Sequence, residues 1–158
     1  QGGGGQEPEP SEAITISDNG TGYLMNGVTI HHKQSAGYPK DVAVVMNIKN
    51  GIKKLSVKVE TTNSVFEMAA GAMGLTGEDG LDLTSEDASE LSYLFALPKV
   101  SDTNYSFTMN STLFELLGGN ENEENPMEGY IGKHEFILTV TDANDNVKSA
   151  TLVINVVE

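Results

Sequence analysis

Near the C-terminus, Asp142-Ala143-Asn144-Asp145-Asn146 places four oxygen-bearing side chains within five residues. A hard cation such as calcium takes about six to eight oxygen ligands, and Asp142, Asn144 and Asp145 are the candidates to supply some of them. The same residue types have a second use. Asp and Asn tolerate left-handed backbone angles, so the cluster also suits a hairpin turn that needs no metal. Two other stretches are rich in oxygen. Asn120 to Glu128 holds Glu121, Glu123, Glu124 and Glu128. It reads as a solvated loop of mutually repelling carboxylates, with calcium or a basic partner as the alternative. Gly77-Glu78-Asp79-Gly80 with Asp82 lacks the spacing of an EF-hand loop.

His31 and His32 are adjacent. Neighbouring side chains on a strand point to opposite faces, so the pair cannot share one metal. His134 falls at an ordinary strand position. No G-x-S-x-G, H-E-x-x-H or phosphate-loop pattern is present, so no catalytic site is expected. Sugar platforms use flat aromatic faces, tryptophan above all, and the chain has none. Tyr23, Tyr38 and Tyr130 lie in loop-like stretches and are the candidates for exposed, ligand-binding rings. Their alternative role is to pack at the bases of loops.

Charge narrows the partners further. The 158 residues carry 23 acidic side chains against 9 lysines, with no arginine, for a net charge of −14. Nucleic-acid binders need cations for phosphates and arginine for base edges, so nucleic acid is not an expected partner. Anionic membrane surfaces would repel the chain as well. With no cysteine, the domain must be held by its core alone. No apolar run approaches the roughly 20 residues of a membrane span.

The elements that must position these residues follow from periodicity. Residues 1–11, QGGGGQEPEPS, combine four glycines with a Glu-Pro repeat and are expected to form a disordered tether to a domain at 12–158. Ile14 and Ile16 mark a short first strand, and Val28 to His32 a second. Val42, Val44, Met46 and Ile48 share a face in the next. Asn50-Gly51 predicts a tight hairpin to a return strand carrying Leu55, Val57 and Val59. The period then changes. Ser64 and Glu67 form a capping-box pattern ahead of a short helix, and Thr84 to Asp87 repeat it before Leu91, Leu94 and Phe95. Tyr105, Phe107 and Met109 resume strand alternation. Ser111 can cap a brief turn through Leu117. Phe136, Leu138 and Val140 pair with Leu152, Ile154 and Val156 in a closing antiparallel hairpin. Many short strands with little helix predict an all-β fold, an immunoglobulin-like antiparallel β-sandwich of about seven strands with short helical crossovers.

The run from Gly132 to Asn146, GKHEFILTVTDANDN, resembles the closing hairpin of bacterial immunoglobulin-like modules. The preceding series is similar to surface lipoproteins of gut Bacteroidetes. It comprises a K-L-x-V-x-V strand, Gly74-Leu75, Asp82-Leu83, Leu97-Pro98 and Phe114 to Gly118, in order. The resemblance covers Lys53 to Val157. It implies an exported protein held at the cell surface or outer membrane by an N-terminal lipid anchor upstream of Gln1. Asp145 stands where the family pattern commonly has glycine, which leaves the turn type open. The turn also resembles the cadherin D-x-N-D-N calcium motif. Here, however, Val147-Lys148 and a whole strand follow it, and no D-R-E segment accompanies it. The function expected is a non-catalytic binding or adhesion module for a protein or glycan at the cell surface. The alternatives are a structural spacer within a larger surface protein and, third, an enzyme.

Overall fold

The computed structural model describes residues 13–18, 28–31, 42–93, 96–109 and 130–157. The expected tether, Tyr23, His32, Tyr38, Leu94, Phe95, the turn from Ser111 to Leu117 and the acidic run Asn120 to Glu128 all lie outside the described residues. In chain order the elements are β1 (Ile14–Asp18), β2 (Val28–His31), β3 (Val42–Ile48), β4 (Ile52–Thr61), α1 (Ser64–Ala72) and β5 (Leu81–Asp82). A 3-10 helix (Glu86–Tyr93), β6 (Asn104–Met109), β7 (Gly132–Asp142) and β8 (Val147–Val157) complete them.

The strands form two sheets, one ordered β1-β3-β6 and the other β2-β8-β7-β4-β5. This is an immunoglobulin-like arrangement. The opening strands divide between the two sheets, the next pair crosses from one to the other, and the last two close the second sheet as a hairpin. Alternation drives it. Val44, Met46 and Ile48 of one sheet meet Leu55, Val57, Val59, Phe136, Leu138, Val140, Leu152, Ile154 and Val156 of the other, all buried. At about 1.5–3 kcal/mol for each large side chain removed from water, this interior can hold the fold without disulfides.

Three local expectations are corrected. First, Asn50-Gly51 does not fold β4 back onto β3. Only Gly51 takes a positive φ, 86°, and its N–H donates to the Ile48 carbonyl at 2.9 Å. Without the second positive φ of a primed turn, the chain leaves β3 and joins the opposite sheet. The flanking residues bond elsewhere, Ile48 N–H to the Thr103 carbonyl and Ile52 N–H to the Asp102 carbonyl. Second, the cap of α1 is Asn63, one residue before the predicted Ser64. Its Oδ1 accepts from Phe66 N–H at 2.8 Å. Third, one pairing is not antiparallel. β2 runs parallel to β8, with Val28 opposite Ile154 and His31 opposite Val157, and covers an edge that would otherwise be open. Among the described residues, no helix is long and apolar enough to cross a membrane.

Candidate functional site

The connection from β4 to β6 passes outside the sandwich edge, and its main chain seals that edge. Val59 N–H donates to the Leu75 carbonyl, Leu83 N–H donates to the Leu55 carbonyl, and β5 pairs with β4 at Ser56 and Val57. Gly80 permits the close approach. At φ 68°, its chain lies so near β4 that a Cβ would collide with the Val57 carbonyl. α1 is anchored by Phe66 and Ala70, and the 3-10 helix by Ala88 and Leu91, all buried. Between the two helices lies a cleft of about 770 Å³, lined by residues that include Met73, Leu81, Asp87, Glu90 and Leu91. The outer face of α1 continues its apolar surface. Val65 is 53% exposed and Met68 77%, with Ala72 one turn on, also exposed and itself lining the cleft. The spacing i, i+3, i+7 puts all three on one helical stripe.

A second cluster closes the end of the core where β7 begins. His134 is 0% exposed and shares the inward parity of Phe136, Leu138 and Val140. Its Nε2 lies 2.6 Å from the Tyr130 carbonyl and its Nδ1 2.7 Å from Thr61 Oγ1. A carbonyl only accepts, so Nε2 carries the proton and Nδ1 accepts from the threonine hydroxyl. Burial lowers the imidazole's pKa despite the bond to the Tyr130 carbonyl, so the ring is neutral. Phe66 stacks obliquely on it at 4.3 Å and meets Tyr130 edge-on at 5.0 Å. The network reaches α1 as well. Asn63 N–H donates to Thr61 Oγ1, and Asn63 Nδ2 donates to the Ile131 carbonyl.

Tyr130 is therefore not an exposed binding ring. It is 0% exposed, and burial pushes its hydroxyl up to about 12. Among the described residues that hydroxyl has no hydrogen-bond partner. Tyr130 takes the alternative role, packing at the base of a loop, where a residue outside a strand plugs the end of the core. Tyr23 and Tyr38 lie outside the described residues. Of the adjacent histidines, only His31 is described, at the end of β2.

Asp142, Asn144 and Asp145 do come together in the β7–β8 turn, but their geometry is that of a turn. Asp142 is 0% exposed and its carboxylate receives four N–H donors. Oδ1 accepts from Asn144 N–H at 2.9 Å and Asn146 N–H at 2.8 Å. Oδ2 accepts from Asn50 Nδ2 and Asn146 Nδ2, each at 2.9 Å. Burial alone would raise this carboxyl, but bonds from Asn50, Asn146 and Asn144 outweigh it and hold the pKa below the ordinary value. Asp145 takes φ 66°, a left-handed angle that glycine, asparagine and aspartate adopt most readily, and pairs with Lys53 at 2.6 Å. Asn144 is exposed. A calcium ion at Asp142 would have to displace N–H donors that already occupy its lone pairs, and the bonds seen are those of the hairpin turn that the residue types also suit. Among the described residues, no group of three or more histidines and carboxylates converges on a common point. Asp82 is engaged likewise, accepting from the N–H and hydroxyl of Thr84.

The cleft and the helical stripe beside it escaped the sequence reading because three separate segments build them. A signal was present, in that Val65 and Met68 fall on the face of α1 opposite Phe66 and Ala70. Compared with known protein families, curated proteins and solved structures, the chain has no match.

Proposed function

We propose that this chain is a non-catalytic binding module of an exported surface lipoprotein, and that its partner docks on the helical crossover between β4 and β6. The observation that carries this reading is the Val65–Met68–Ala72 stripe running into the adjoining cleft. Val65 and Met68 stay exposed beside Ala72 instead of joining the core, and contiguous apolar surface marks interaction sites. A spacer unit would gain solubility from polar side chains at those positions. The surface location rests on the sequence resemblance from Lys53 to Val157.

Solvent mapping tests the docking face without knowledge of the ligand. Isopropanol titrated into the labelled full chain is expected to shift amides of residues 65–91 selectively, and Met68→Glu to abolish the shifts. Dispersed or absent shifts would favour the spacer. Protease treatment of intact cells tests the location, since a surface protein is cleaved and an internal one survives.

A further inference from the structure

The docking face has a chemical polarity that specifies its occupant. Between residues 64 and 93 the chain carries seven acidic side chains and no lysine, whereas the neighbouring strand β4 carries three lysines, Lys53, Lys54 and Lys58. Asp87 and Glu90 line the cleft itself, and both are exposed. The C-terminal end of α1 contributes to the same wall through Ala72, Met73 and Gly74. A helix C-terminus carries partial negative charge, and the last turn of α1 holds no basic residue to offset it. The floor between these groups is apolar, formed by Met73, Leu81 and Leu91.

We infer that this surface receives a basic amphipathic segment of a partner protein, its apolar side against Met68, Ala72 and the cleft floor and its cations against Asp87, Glu90 and the α1 terminus. The inference rests on the docking reading above and adds the chemistry of the partner. An acidic or neutral apolar segment could use the floor, but would leave two carboxylates and a helix terminus facing no counter-charge. A basic segment satisfies both parts, in the manner of a helix laid into a groove. Since the charges are exposed, the attraction is screened by salt over about 8 Å at physiological ionic strength. The apolar contact is not.

Two synthetic peptides with the same leucine stripe, one bearing lysine and the other glutamate on the polar face, test this against the labelled full chain. The lysine peptide is expected to shift amides of residues 65–91 and to bind at least about tenfold more tightly, with the margin narrowing as salt is added. Asp87→Asn with Glu90→Gln should remove most of that margin, and Met68→Asp should weaken both peptides. Glu135→Gln, on a strand of the sheet, should change nothing. Lysine-peptide shifts scattered over the whole acidic surface, or an affinity untouched by the double variant, would overturn the inference. If the glutamate peptide binds residues 65–91 equally well, the docking reading stands and the partner's charge is refuted. If neither peptide perturbs those residues, both fall.

Discussion

Replacing Asp142 by alanine removes an acceptor from four donors at once. Two are main-chain N–H groups of its own turn, one is the side chain of Asn146, and one is Asn50, which lies 92 residues away and belongs to the turn that carries the chain between sheets. A hydrogen bond to a charged group contributes about 1.5–3 kcal/mol, and the four share one carboxylate, so their losses do not add. Loss of such a buried network costs about 3–5 kcal/mol. Asp142→Asn keeps the shape and one oxygen, and the amides of Asn50 and Asn146 can turn to meet its new N–H group, so a loss nearer 1–2 kcal/mol is expected. Urea denaturation at neutral pH measures both. The depressed pKa gives an independent check. Asp142 is ionised in the folded state below the pH at which the unfolded chain takes up its proton. Its contribution is therefore complete above about pH 3.9 and is lost as pH falls toward the folded value. A loss under about 1 kcal/mol for Asp142→Ala would refute the assignment of this carboxylate as the anchor of the turn. So would a melting temperature that rises with millimolar calcium in the native chain alone, since only a cation bound to the folded state stabilises it.

The two residues closing the core at the start of β7 give further outcomes. His134 has a folded pKa below its unfolded value of about 6.5, so stability present above that value falls as acidification protonates the unfolded chain first, by at most about 1.4 kcal/mol per pH unit. Urea midpoints between pH 7.5 and 5.5 should show that slope, and His134→Phe should flatten it while lowering the baseline by leaving the Thr61 hydroxyl and the Tyr130 carbonyl unpaired. An unchanged slope would locate the effect elsewhere. For Tyr130→Phe, deleting a buried hydroxyl with no partner among the described residues is expected to leave stability unchanged or raise it by up to about 1 kcal/mol. Thermal melts showing a comparable loss instead would mean that the hydroxyl is paired in solution.

Much of the sandwich is legible along the chain because a strand's inward set repeats every second residue. Phe136, Leu138 and Val140 announce their face, and their pairing with Leu152 and its neighbours follows from the turn between them. The route between sheets is not legible in that way. β4 would show the same alternation whether it paired with β3 or crossed over, and Asn50-Gly51 favours one answer locally while Asp142 and Thr103 enforce the other from afar. His134 could have been found, since it occupies an inward position two residues before Phe136. Its role was hidden by its polarity, because partners on β4 and at Tyr130 are what make a buried imidazole tolerable. The turn aspartate is the opposite case. Its residue type suited a metal ligand and a turn alike, and its four N–H donors, one of them 92 residues away, are visible only in the fold.

The parallel pairing of β2 with β8 gives the domain a direction of strength. Tension that draws the start of β2 and the end of β8 apart acts along both strands in opposite senses, so their hydrogen bonds resist sliding together and must yield nearly at once. Pulling β7 and β8 apart at their open end would instead break an antiparallel ladder one rung at a time. In a chain stretched from its N-terminal side through its C-terminal strand, β1 meets the load first through its pairing with β3. Once β1 is drawn off, β2 and β8 are loaded in the first manner, and the same few bonds that cover a sheet edge at rest become the clamp.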